Sequence, residues 1–459
     1  MKLTKITLAL AGILGIAVVG GSWYTGQQAE QRYQQLVQQG NQSLKALKIY
    51  GIDAEIKDVK FERYFFSSDV KYTLEVGMVD ERYQLQGDDK LFHGPLPLNR
   101  LSQVNLMPAM MSVESKLYLP EKFKLQTPFT EGQTDISYAG NLSGEFSLNA
   151  FKGETWDLAK TQIEFEYDSA QKSGKFSSQI PSYQYQDQTN TRIEIQDTLY
   201  KADFTSNEKY PELSLGNYEF SSKMVRYSSD GKAPFAFTNL SSQGKNTLEK
   251  DRWTSTGSLT GELLAQDKLN LGKLNIDSSA ELDAESANEL MHYASSLEKL
   301  ESVEAGDVVL SLLNKSPKLQ IKELSLENAK GKNSLSLNLN LDKFDPSQFK
   351  GMKDVLKIFK ASVLETQFKL PSLELFMAQL NQLDGFPKEE AEQKAKQTIS
   401  EFAYQAQASS LATLDKDSLK MKLSIDQGKV NLNGRDVPEA EVQGALFMIM
   451  LGVKSLISK

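Results

Sequence analysis

Histidine is the side chain that most readily moves protons near neutrality, and this chain of 459 residues has two, His93 and His292. Two isolated imidazoles do not build a histidine metal cage or a catalytic cluster. Cysteine is absent, which removes disulfides, thiolate nucleophiles, thiolate metal sites and a lipidated N-terminal cysteine. No phosphate loop, G-x-S-x-G elbow, H-E-x-x-H pair or acidic calcium loop occurs. Carboxylates are plentiful, but no pair stands out by spacing. The expectation is therefore a protein that is not an enzyme, with no catalytic residue, cofactor site or metal site assigned.

One constellation does stand out: His93-Gly94-Pro95-Leu96-Pro97. Each proline fixes φ near −65° and removes a donor, and Gly94, preceding Pro95, is biased to extended geometry. This makes a rigid corner after a strand. One reading is a ligand or interface corner. The other is a strand terminator whose imidazole braces a loop. His292, on a helical segment, reads as a surface or interface residue.

Lysine and arginine total 52 against 60 aspartate and glutamate, a formal charge of −8. That argues against a broadly basic surface, so nucleic acid is not an expected partner. Ile6 to Tyr24 is uncharged, about the length that crosses hydrocarbon as a helix. Lys2 and Lys5 precede it and Trp23 and Tyr24 close it, which orients the N-terminus inward and the bulk outward. Residues 1–26 are thus read as a retained signal anchor; a cleaved signal peptide, with Gly20-Gly21-Ser22 as a permissive site, is the alternative.

Residues 27–50 read as a polar juxtamembrane helix whose stripe of Tyr33, Leu36, Val37, Leu44 and Leu47 docks on the body or on a second copy. Residues 51–283 read as an antiparallel, β-rich region. Val70, Tyr72, Leu74 and Val76 alternate with polar residues, and so do Ile163, Phe165 and Tyr167. Residues 284–459 read as an α+β region. It holds helices at 285–300, 307–313 and 387–411, with a further helix start at Asp345-Pro346-Ser347. Its clearest hairpin sets Leu335, Leu337, Leu339 and Leu341 against Leu319, Ile321, Leu324 and Leu326.

The phase slips at Lys322-Glu323, and between Ile56 and Val59, predict β-bulges and a strongly curved sheet. A strand over 363–370 is stopped by Pro371, and strands follow at 419–425 and 430–432. Ala445 to Val453 is apolar but too short to span a bilayer. The fold class expected is α+β and β-rich: an N-terminal transmembrane helix, then a long, curved, mainly antiparallel sheet with packed helices concentrated in the C-terminal third. A weak likeness between Phe66-Ser67-Ser68 and Phe220-Ser221-Ser222 raises the alternatives of two joined β-modules or chance.

The anchor ending Gly21-Ser22-Trp23-Tyr24-Thr25-Gly26, the element Phe61 to Ser68 and the corner at His93 to Pro97 follow one another in a specific order. They continue with Ser316-Pro317, Leu370-Pro371, Asn433-Gly434 and Pro438. In this order the chain resembles the YdgA-like family of Gram-negative bacteria, a domain of unknown function. Tyr64 stands where that family often has glycine. The resemblance implies an inner-membrane anchor, a periplasmic β-rich body and self-association. It implies no activity and carries over no catalytic residue.

Three functions fit. The first is an inner-membrane-anchored periplasmic envelope protein that binds lipid or another hydrophobic ligand along its sheet. The second is a self-associating scaffold, a homodimer or a contact for envelope proteins. The third is a hydrolase using carboxylates or serine with His93.

Overall fold

The computed structural model describes residues 37, 38, 40, 41, 44, 45, 52–78, 81–93, 96–230, 232–266, 268–295, 310–343, 352–438 and 441. Among them no helix is long and apolar enough to cross a membrane. The expected span at 6–24, the helix start at 345–347 and the apolar stretch at 445–453 lie outside the described residues, as do Gly94 and Pro95. The chain divides into two compact units, the first running to Lys232 with 291–299, the second holding 233–290 and 300 onward. The change of pattern read at 283/284 coincides with the junction from a strand to a helix inside that division.

The first unit is an antiparallel meander. It runs β1 (Ile52–Arg63), β2 (Ser67–Met78), β3 (Glu81–His93), α1 (Leu98–Ser102), β4 (Met111–Tyr118), β5 (Thr130–Ile136) and β6 (Leu142–Leu148). Two short strands follow, β7 (Phe151–Lys152) and β8 (Trp156–Leu158). Then come β9 (Thr161–Asp168), β10 (Ser173–Gln186), β11 (Arg192–Thr205) and β12 (Leu215–Ser228). Each long strand pairs with the next, except that β6 pairs with β9 and β8 continues the β9 edge along β10. The slip at Ile56–Val59 is a bulge, a register shift between Lys57 and Lys60 with Asp58 at φ 53°.

Period-two alternation sends Val70, Leu74 and Val76 of β2 inward, where they are buried with Leu85 and Leu91 of β3 and Phe146, Ile163 and Phe165 further along. Aromatic rings lie across cross-strand glycines. A Cβ on Gly87 would sit 2.2 Å from the Tyr72 ring, and one on Gly144 would sit 2.5 Å from Phe165. Rings and glycines face one another in register, so the backbone is shielded where no side chain grows.

What covers this apolar face comes from the unit itself. Phe151 packs on Trp156 with the rings tilted and centroids 4.2 Å apart, Phe129 meets Trp156 edge-on at 5.8 Å, and Phe123 reaches Phe151. Leu44, in the helical residues before β1, is fully buried in the same core. Asn41 holds it there, donating to the Ile56 carbonyl at 3.0 Å and accepting from the Ile56 amide at 2.7 Å. Docking on the body is thus observed for Leu44. The serine-rich likeness does not mark one module per unit, because Ser67-Ser68 and Ser221-Ser222 both fall in the first unit, one beside a hairpin tip and the other in mid-strand.

The second unit pairs β13 (Phe235–Glu249), β14 (Arg252–Ala265), β15 (Leu269–Asp283), β16 (Lys318–Asn328), β17 (Gly331–Asn340), β18 (Ser362–Lys369) and β20 (Ser418–Asp426) in that order. β19 (Thr413–Asp415) and β21 (Lys429–Leu432) join β20, and β22 (Arg435–Asp436) joins β21. The expected bulge at Lys322-Glu323 is present between Ile321 and Leu324. The helices are α2 (Ala284–Ser295), α3 (Met352–Lys357), α4 (Leu370–Leu383) and α5 (Lys388–Ala408), with a helical turn at 310–314.

One expectation is corrected. Pro371 does not merely stop a strand at 370: the strand ends at Lys369, Leu370 begins α4, and the proline sits in its first turn. A proline has no amide to leave orphaned there and its φ already suits a helix.

Candidate functional site

His93 closes β3. Its Nε2 lies 2.8 Å from Ser68 Oγ, and its backbone amide donates to the Phe66 carbonyl at 3.0 Å. Burial, with the Arg63 charge adding to it, holds the imidazole below its ordinary pKa, so at neutral pH it is uncharged. Ser68 is fully buried, so its hydroxyl meets no substrate in this arrangement. The pair ties the β1–β2 tip to the end of β3.

Of the predicted corner, Leu96 is exposed and Pro97 is fully buried. The Pro97 carbonyl accepts the amides of Arg100 and Leu101 and so opens α1. Asn99 donates to Ser112 Oγ at 2.8 Å, Ser112 donates to Asp135 at 2.6 Å, and Arg100 Nε lies 3.3 Å from Asp135. Asn99 and Arg100 are therefore the buried residues of α1, while its leucines are exposed. His292 is exposed on α2, with Nδ1 3.4 Å from Glu212. Among the described residues no group of three histidine, aspartate or glutamate side chains is placed to hold a metal ion.

The first unit also carries an open trough of about 840 Å³ on its polar face. Glu145, Glu164, Glu166, Asp203, Lys175 and Lys201 line it. Charges of both signs mix there, beside Phe165 and Phe176, which also line the trough.

The second unit differs. Residues opposite one another in an antiparallel ladder share a face. Leu259 faces Ile276, Ile276 faces Leu324, Leu324 faces Leu335, and the row continues through Thr366 to Met421. One step along, Ile321, Leu337, Leu364 and Leu423 form a second row. Next to it, Leu319 and Leu339 pair directly. The bulge at Lys322-Glu323 is what keeps Leu319 and Ile321 on the same face as Leu324 and Leu326, because one extra residue restores the phase that the odd step from Ile321 to Leu324 would lose. The reverse face is charged, with Lys422 Nζ 2.8 Å from Glu365.

α4 covers one end of this apolar face. Ser372 donates to the Gly331 carbonyl and accepts from Asn333 at 2.8 Å, and Gln379 donates to the Asn270 carbonyl. Beneath it Leu271 and Leu419 are buried. Beyond it burial stops. Ile276, Ile321, Leu335, Leu337, Leu364 and Leu423 are only half-buried, and Leu319 is 41% and Leu324 36% exposed. A strip of aliphatic side chains several strands wide is thus left in partial contact with solvent. Its chemistry suits acyl chains: it offers dispersion contacts and surface to remove from water, with no hydrogen-bonding requirement.

The alternation of leucines in β17 was readable from the sequence, but their exposure was not. Burial depends on whether another element crosses the face, and α4 had no signal beyond Pro371 in its first turn.

A family model described as "Bacterial protein of unknown function (DUF945)" matches residues 1–440. The chain is 25% identical to Protein YdgA of Escherichia coli K12, covering 99% of both chains. It is 23% identical to the uncharacterized protein YihF of the same organism, covering 95% of this chain and 97% of that one. An uncharacterized protein of Haemophilus influenzae is 26% identical over 47% of this chain and 64% of its own length. No solved structure matches.

Proposed function

The chain belongs to the DUF945 family of bacterial proteins, and from that premise we propose a non-enzymatic, membrane-anchored envelope protein that holds lipid, or another long-chain hydrophobic ligand, on the half-covered face of its second unit. In this reading residues 1–26 anchor it in the inner membrane and the body stands in the periplasm. The observation that carries the proposal is the aliphatic strip from Ile276 through Leu324, Leu335 and Leu337 to Leu364, which α4 leaves open. A sheet with one apolar face must cover it with helices, a sheet, a partner or a ligand. Burying that face under an acyl chain stabilises by about 25 cal/mol per Å² removed from water.

The test uses the full chain. Native mass spectrometry after detergent extraction should show lipid-mass adducts, and the delipidated protein should take up a fluorescent fatty-acyl probe. Absence of both results sinks the proposal.

A second reading, a scaffold that self-associates or contacts envelope proteins, is favoured by the first unit, whose interior is filled by its own Phe129, Phe151 and Trp156. Crosslinking in membranes tests it, and strictly monomeric behaviour is the outcome that rejects it.

A further inference from the structure

We propose that one end of the first unit inserts its loop tips into the surface of a lipid bilayer. Three chain connections meet at that end. The His93 amide bonds the Phe66 carbonyl, joining the β1–β2 tip to the end of β3. His93 pairs in register with Met111, so the β3–β4 connection lies beside it. The Met110 amide bonds the Ile136 carbonyl at 2.8 Å, which brings the β5–β6 turn alongside. The tips of these connections are apolar and out in solvent: Phe65 is 88% exposed, Val104 81% and Met107 73%, with Phe66, Leu106 and Tyr138 also exposed.

The β3–β4 connection is built inside out. Asn99 and Arg100 of α1 are buried against β4 and β5, where Ser112 and Asp135 hold them, while Leu98 and Leu101 on the same helix are exposed. A segment that met only water would bury the leucines and expose the arginine. The β10–β11 turn, at the opposite end of the sheet, is Asp187-Gln188-Thr189-Asn190-Thr191 and has no apolar residue.

Chain length puts a bilayer within reach as the occupant. The apolar stretch ends at Tyr24, and Asn41 is fastened to Ile56. Residues 24 to 41 reach at most about 58 Å when extended. Ile56 to Arg63 along β1 advances about 23 Å toward the tips. The tips therefore lie within reach of the membrane that would hold residues 6–24, and mixed phenylalanine, tyrosine, leucine and methionine suit its interfacial layer. This contact rests on the anchored reading proposed above.

The absence of cysteine makes the test clean. Phe65→Cys, Met107→Cys, Thr189→Cys and Gly15→Cys variants of the full chain each take one environment-sensitive fluorophore after reconstitution into phosphatidylethanolamine–phosphatidylglycerol vesicles. Positions 65 and 107 are so exposed that the substitutions leave folding unchanged. The expected result is strong quenching at 65 and 107 by lipids brominated along the acyl chain, and quenching at 189 by aqueous iodide alone. Iodide quenching at 65 and 107 equal to that at 189 overturns the proposal. So does a dry signal at 65 that brominated lipid leaves untouched, because it assigns the tips to a protein partner or a second copy. Bromolipid quenching at 15 without quenching at 65 and 107 overturns this inference and keeps the anchor; the reverse pattern keeps the inference and rejects the anchor.

Discussion

In the first unit Phe129, Phe151 and Trp156 close over the apolar side of the sheet, and Leu44 seals it from the helical residues before β1. In the second, Ile276, Leu324, Leu335 and Leu337 present the same alternating chemistry, yet among the described residues α4 lies across one end and leaves them half-buried or exposed. The strands of the two units obey one rule, period-two alternation, and differ in what crosses above them. The difference teaches that a β-sheet's pattern specifies which side is greasy, while loops and helices decide whether that side becomes a core or a surface for something else. On the proposed function, the second unit's open face is the one that would hold the ligand.

That contrast can be broken by truncation. Trp156→Ala opens a void among Phe129 and Phe151, and its expected cost is about 3–5 kcal/mol in denaturant unfolding of the full chain. Leu337→Ala should cost less than about 1 kcal/mol, because the half-exposed side chain has less burial to lose. Equal losses would mean that the second face is as well packed as the first.

Next in size is Arg252. Its guanidinium donates to the carbonyls of Lys315 and Ser316 and to Glu281, clamping the turn before β16 where Ser316 has φ 53°. Arg252→Ala should cost about 2 kcal/mol and raise amide exchange at the start of β16. Unchanged exchange there would show that Pro317 alone fixes the turn.

Leu337→Asp sharpens the comparison from the functional side. A charge on an open strip leaves folding nearly intact but should weaken uptake of the fatty-acyl probe about tenfold or more, the 1.4 kcal/mol that a tenfold change represents. Full uptake by this variant would move the ligand elsewhere.

The smallest effect is on pH. The half-buried His93 has its pKa depressed, so the unfolded chain binds a proton that the folded chain resists. Stability from this residue is complete above the ordinary histidine pKa, about 6.5, and falls as pH drops below it. Calorimetry between neutral and mildly acidic pH should show a shallower loss for His93→Gln; an identical slope would assign the acid sensitivity to other groups.

Much of this was visible in residue order. The strands around Val70–Val76, Ile163–Tyr167 and Leu335–Leu339 follow from alternation, and the bulges at Asp58 and Lys322-Glu323 follow from its phase slips. His93 was singled out in the sequence, but its partner Ser68 was not, because the two lie twenty-five positions apart on strands that only the meander brings together. α4 was missed because Leu370–Leu383 follows a strand directly, and its first residues also continue the strand pattern. The inside-out α1 left no trace in sequence: Asn99 and Arg100 look like surface residues until Ser112 and Asp135 are seen beneath them.

The most direct measurement places a photocrosslinking amino acid at Leu337 in the full chain, irradiates intact cells and weighs the product, with Ser336 on the opposite face as control. Lipid-mass adducts at 337 and none at 336 are the result predicted. Adducts of protein mass at 337, or no adduct at either position, would contradict a lipid-holding face.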